Sequence, residues 1–180
     1  MFVQTEITPN PNSLKFLPGK KVSNSGPYEI TKNDDSDNEL IRNILSVNGV
    51  EGIFLGEDFI SVNKNDDKKW EEIKHIVISL INDFYADGKD FVIDENIKDN
   101  VSSFSEIEEK IVKILEQKIR PAVARDGGDI KFKEFKNGVV KVQLQGSCSG
   151  CPSSTMTLKQ GVQNLLCHYL PEVKEVVAIQ

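Results

Sequence analysis

Two cysteines, Cys148 and Cys151, stand three positions apart in the run Cys148-Ser149-Gly150-Cys151-Pro152. At that spacing both thiols can hold one soft metal centre from the same side. A tetrahedral zinc site or an iron–sulfur cluster normally takes four protein ligands. The third cysteine, Cys167, falls well inside the helix predicted to follow and is not spaced to join them. One copy of the chain therefore offers half a site. The shortfall points to a dimer with the metal at its seam.

The residues around the pair suit an anionic ligand. Gly146 and Gly150 let the backbone approach closely, and Pro152 fits the first turn of a helix, where its missing N–H is not needed. Free amides at a helix start, with the dipole behind them, stabilise negative charge and favour thiolate over thiol. Ser147, Ser149, Ser153 and Ser154 add hydroxyl donors. Two other readings compete: a dithiol oxidoreductase with Cys148 as nucleophile, and a structural zinc dimer using the same four sulfurs. Against the oxidoreductase, the pair follows a predicted hairpin rather than opening a βαβ unit, and its proline comes after the second cysteine.

The elements that must position the pair are legible in the second half. Ser105-Glu106-Ile107-Glu108 has the spacing of a capping box. It opens a helix carrying Ile107, Ile111, Ile114, Leu115 and Ile119, which Pro121 is expected to end. Asp126-Gly127-Gly128-Asp129 reads as a tight turn in which paired glycines supply backbone freedom, with Arg125 the candidate contact residue beside it. Residues 130–135 and 139–145 flank Asn137-Gly138, a strong hairpin signal. Leu158, Val162, Leu165, Leu166 and Tyr169 then form a helical stripe, and Val173, Val176, Val177 and Ile179 suggest a last strand.

In the first half, residues 2–7 and 14–17 read as strands around the loop Pro9-Asn10-Pro11-Asn12. Asp34-Asp35-Ser36-Asp37 reads as the entrance to a helix over 39–46. A hairpin is predicted over 50–55 and 59–62. A helix with Trp70, Ile73, Val77, Leu80, Ile81 and Phe84 on its apolar face follows. The expected fold class is α+β: two small domains, each a small sheet packed against two helices, the second in the order α-β-β-α-β. The expected boundaries are 1–86, a polar linker over 87–104 anchored by Phe91-Val92-Ile93, and 105–180.

The 180 residues are 38% hydrophobic and 28% charged, enough apolar content for packed cores. With 22 basic and 28 acidic residues the net charge is −6, which lacks the footprint of a nucleic-acid binder. No apolar run approaches the ~20 residues that cross a bilayer, so no membrane partner is expected. Three cysteines do not make a disulfide framework and read as metal or redox chemistry in a reducing compartment. Met1-Phe2-Val3-Gln4-Thr5-Glu6 resembles neither a secretory signal nor an Arg-rich transit peptide. The expected location is cytoplasmic, or the mitochondrial matrix for a processed organellar form.

At this point the chain resembles the Nfu-type, NifU-like iron–sulfur cluster carriers. The resemblance rests on Arg120-Pro121, Asp126-Gly127-Gly128-Asp129-Ile130, the strand 140–144, and Gly146-Ser147-Cys148-Ser149-Gly150-Cys151-Pro152-Ser153-Ser154. The first half is similar to the N-terminal domain of two-domain members through Thr8-Pro9-Asn10-Pro11-Asn12-Ser13-Leu14-Lys15-Phe16, Gly49-Val50-Glu51-Gly52-Ile53-Phe54-Leu55-Gly56 and Asp58-Phe59-Ile60. The resemblance implies that Cys148 and Cys151 of two protomers bind one 4Fe-4S cluster. It also implies a carrier rather than an enzyme, with an upstream cluster donor and apo iron–sulfur proteins as recipients. Ligand exchange, the glycine and serine content of 146–154 and the two missing ligands together predict an exposed cysteine loop. Cys167 reads as a packing or partly exposed thiol rather than a ligand, His75 and His168 as surface or rim residues, and Trp70 as core.

Overall fold

Short strands, the central ones buried over most of their length, build the first sheet. The computed structural model describes residues 2–24, 26–90, 92, 103–148 and 152–179, the side chains of 152–155 excepted. The chain divides into two compact units, Met1–Ile97 and Lys98–Gln180. In the first, β1 (Gln4–Ile7), β2 (Ser13–Leu17), β3 (Tyr28–Thr31), β4 (Val50–Leu55) and β5 (Ile60–Lys64) pair antiparallel in the order β1-β2-β5-β4-β3. The register sets Ile60 opposite both Phe16 and Leu55, and Val62 opposite Leu14 and Ile53. That face packs on Leu40, Ile41 and Ile44 of α1 (Glu39–Leu45) and on Ile73, Val77 and Ile81 of α2 (Trp70–Ala86). Each such side chain contributes about 1.5–3 kcal/mol on burial.

Two local features differ from expectation. The acidic run before α1 does not enter the helix; Asn38 caps it instead, its Oδ1 accepting from the Ile41 amide at 3.1 Å. Asp34 is taken up by a turn after β3, where its Oδ2 accepts from the Thr31 amide and hydroxyl, each at 2.8 Å. Those bonds hold its carboxyl below the usual aspartate range. The strand β3 itself was not expected. It is four residues long, lies at the sheet edge and buries only Ile30, so it shows no full alternation.

Trp70 packs on the core, and its Nε1 donates to the Pro11 carbonyl at 3.0 Å, tying α2 to the loop between β1 and β2. Val92 is buried and its amide donates to the Val22 carbonyl at 2.9 Å. Its expected fellow anchors, Phe91 and Ile93, lie outside the described residues.

The second unit runs α3 (Glu106–Ile114), a π-helical turn (Leu115–Ile119), α4 (Arg120–Arg125), β6 (Gly128–Lys136), β7 (Val139–Gly146), α5 (Pro152–Tyr169) and β8 (Glu175–Ile179). With α3 to α4 taken as one helical stretch, the order is α-β-β-α-β. The sheet is β6-β7-β8, the first pair antiparallel and the second parallel. Asn137 at φ 52° and Gly138 at φ 79° make the two-residue turn whose twist matches its strands. Val140, Val142 and Leu144 are buried against Ile111, Leu115, Val162 and Leu166. Glu108 accepts from the Ser105 amide and hydroxyl, each at 2.8 Å, and those donors hold its carboxyl below the usual glutamate range.

Pro121 does not end the helix, contrary to the sequence expectation. The Arg120 amide reaches back to the Leu115 carbonyl, an i→i+5 bond, and the new segment starts with Pro121 in its first turn. A proline there forfeits no helical hydrogen bond, so the π turn absorbs the break. Tyr169, expected in the α5 stripe, is 48% exposed at the helix end, with the Lys118 ammonium 5.4 Å from its ring centre. No helix among the described residues is long and apolar enough to cross a membrane.

Candidate functional site

Cys148 sits two residues past the end of β7, in the segment that leads to α5. Gly146, at φ 67°, turns the chain out of β7, and Ser147 and Cys148 follow. Ser149, Gly150 and Cys151 lie outside the described residues, so Cys148 is the one member of the pair whose surroundings are defined. The first backbone turn of α5 lies just beyond, offering amides and a positive dipole end to an anion. Among the described residues no group of three or more His, Cys, Asp or Glu side chains could hold a metal ion.

Cys148 is only 6% exposed and belongs to the core cluster that holds Leu144, Val162 and Leu166. The expected exposed loop is therefore not found at its described end. The cause is Gly128. A Cβ built there would stand 2.6 Å from Cys148 Sγ, 3.1 Å from its Cβ and 2.7 Å from the Gln145 carbonyl oxygen. Glycine leaves the space into which the thiol folds.

The turn at 126–129 and the cysteine loop are clasped together. The Ser147 hydroxyl donates to the Asp126 carbonyl, and the Ser147 amide donates to the Gly127 carbonyl at 3.3 Å. Gly127 itself sits at φ 79°, so it serves the backbone geometry read from sequence. Gly128 serves a different need, room for sulfur. Arg125 is exposed beside this turn.

Sequence reasoning missed one pairing outright. Asp129 is 4% exposed and accepts two charge-assisted bonds from Arg120, Nε to Oδ1 at 2.9 Å and Nη2 to Oδ2 at 3.1 Å. In the sequence the two stand nine positions apart across an expected helix end, and no local pattern joins them. The available signal was the acid itself, since a carboxylate beside a buried strand needs a cation.

Cys167 is partly buried against the same core, and its Sγ donates to the Val173 carbonyl at 3.1 Å. It packs, as expected. His75 and His168 are both exposed.

Residues 111–177 match the model of the NifU-like domain, and residues 3–88 match that of the scaffold protein Nfu/NifU N-terminal domain. The human "NFU1 iron-sulfur cluster scaffold homolog, mitochondrial" is 42% identical over 98% of this chain and 71% of its own length. The chain belongs to the Nfu/NifU-like family. Similar too is the "NifU-like protein 4, mitochondrial" of Arabidopsis thaliana, 43% identical over 98% of this chain and 65% of its own length. The chain thus spans about two thirds of the length of the curated relatives it matches. The solution structure of a NifU-like protein from Saccharomyces cerevisiae is 30% identical, covering 53% of this chain and 86% of that one, with a TM-score of 0.49. Cys148 and Cys151 both fall inside the NifU-like match, as do Arg120, Gly128 and Asp129.

Proposed function

We propose that this Nfu/NifU-like chain is an iron–sulfur cluster carrier. Cys148 and Cys151 of two protomers hold one 4Fe-4S cluster as cargo, which then passes to apo-proteins. The observation that supports this reading is Cys148, two residues past β7 and inside the NifU-like match, with Cys151 three positions on in the sequence, just before the α5 backbone begins. The relatives' names support the scaffold role; sharing between two chains follows from the ligand count, two thiols per copy against four sites, and the 4Fe-4S type is what the family resemblance implies. Their mitochondrial names support the organellar matrix over the cytoplasm as the working compartment.

Delivery is ligand exchange, not catalysis. Thiols of the recipient displace Cys148 and Cys151 one at a time, each incoming thiol losing a proton as each released thiolate gains one. Because Cys148 is buried in the free chain, loading must first bring its sulfur out of the core. The amides at the start of α5 favour the anionic cargo while it is held.

The test is transfer. The chain, loaded anaerobically with iron and sulfide, is mixed with an apo form of a 4Fe-4S enzyme in the presence of an iron chelator. The expected result is recovery of the recipient's activity as the carrier's visible absorption falls. Absorption that stays with the carrier while the recipient remains inactive would overturn the carrier role.

A further inference from the structure

We propose that Arg120 and Asp129 are positioning residues for Cys148: their ion pair braces the turn that walls in the thiol. Asp129 follows Gly128 directly, and Gly128 is the residue that faces Cys148 Sγ, within 2.6 Å of where its own Cβ would be. The same turn grips the cysteine loop through two bonds from Ser147, to the carbonyls of Asp126 and Gly127. One side of the turn is thus fastened to the loop. The other side is fastened to the helical stretch by the Arg120 fork, with both nitrogens within 3.1 Å of the Asp129 oxygens.

The π turn contributes to this arrangement. It ends at Ile119, so Arg120 opens α4 while Pro121 takes a position where it forfeits no bond. Glu116, one turn earlier, lies 3.7 Å from Arg120 Nη1 and holds the far side of the guanidinium. Asp129 is buried, so a lost partner leaves a carboxylate that must be rehydrated or shifted. Either response moves residues 126–129, and with them the wall against Cys148. The pair therefore sets how often the sulfur is presented and how firmly it is held when released.

The purpose of the brace rests on the carrier role proposed above, but its test is read on the metal-free thiol, so the two can fail separately. A 6%-exposed thiol meets a reagent only through local opening, and its alkylation rate follows the population of open molecules. The full chain is alkylated under native conditions and Cys148 modification is followed by peptide mass mapping. For Arg120→Gln and Asp129→Asn, Cys148 should react about tenfold faster or more, because loss of the half-buried fork releases the turn. Arg120→Lys, which keeps the charge but not the fork, should fall between these and the wild type. Gln163→Ala is the structural control. It removes the bond from the Val176 amide to Gln163 Oε1, 3.2 Å long, at the β8 edge and should leave Cys148 at the wild-type rate.

If Arg120→Gln or Asp129→Asn fails to fold, Arg120→Lys decides alone. Wild-type Cys148 reactivity in the folded pair variants would overturn the proposal, whatever their stability. So would an equal rise in the Gln163→Ala control, since general loosening would then explain it. Failure to load a cluster in every form, with the reactivity order intact, would sink the carrier role and leave the brace standing.

Discussion

Gly128→Ala is expected to destabilise the second unit and to drive Cys148 out of the core. The added methyl would meet Cys148 Sγ at 2.6 Å and the Gln145 carbonyl oxygen at 2.7 Å. The sulfur can swing away; a backbone carbonyl in the β6–β7 ladder cannot, because its strand pairs from Gly128↔Gly146 to Lys136↔Val139. Overpacking of this kind costs about 1–3 kcal/mol, and a rigid backbone neighbour places it toward the upper end. Gly161 is the matched comparison. It lies inside α5 with nothing within 4 Å of a built Cβ, so Gly161→Ala should stabilise by about 0.5–1 kcal/mol through helix propensity alone. Urea unfolding followed by circular dichroism, together with Cys148 alkylation, checks both. An unchanged midpoint and a wild-type thiol in Gly128→Ala would contradict the packing described above.

The same glycine shows where sequence stops being legible. Asp126-Gly127-Gly128-Asp129 announces a turn, and Gly127 at φ 79° is there for that reason. The need for Gly128 lies in a sulfur twenty positions later, which no local pattern records. Amphipathic stripes were readable because helix and strand periods repeat: Ile111 and Leu115, or Val140, Val142 and Leu144, fall on the core face as spacing requires. Pro121 misled for a local reason. It breaks an α-helix, yet a π turn lets the chain continue, and the alternative hydrogen bond leaves no mark in composition. With that helix wrongly ended, Arg120 and Asp129 were left on separate elements. The exposed loop was inferred from glycine and serine content, whereas burial of Cys148 depends on how the 126–129 turn meets it.

Cys148→Ser and Cys151→Ser should each abolish cluster loading, while Cys167→Ser should load like the wild type. In a site shared by two copies, one substitution removes two of four sulfurs at once, so the loss should be complete rather than graded. Cys167 holds only a hydrogen bond to the Val173 carbonyl at 3.1 Å within the core, and its loss should cost about 1 kcal/mol of stability. Anaerobic titration with iron and sulfide, read by visible absorption, measures all three. Full loading of either single-ligand variant would contradict the shared site, and so would loss of loading confined to Cys167→Ser.

Native mass measurement of the anaerobically reconstituted wild-type chain tests the shared site most directly. Two polypeptides carrying four irons and four sulfides is the composition predicted here. A single polypeptide that retains the cluster, or a pair of chains that carries only zinc, would contradict it.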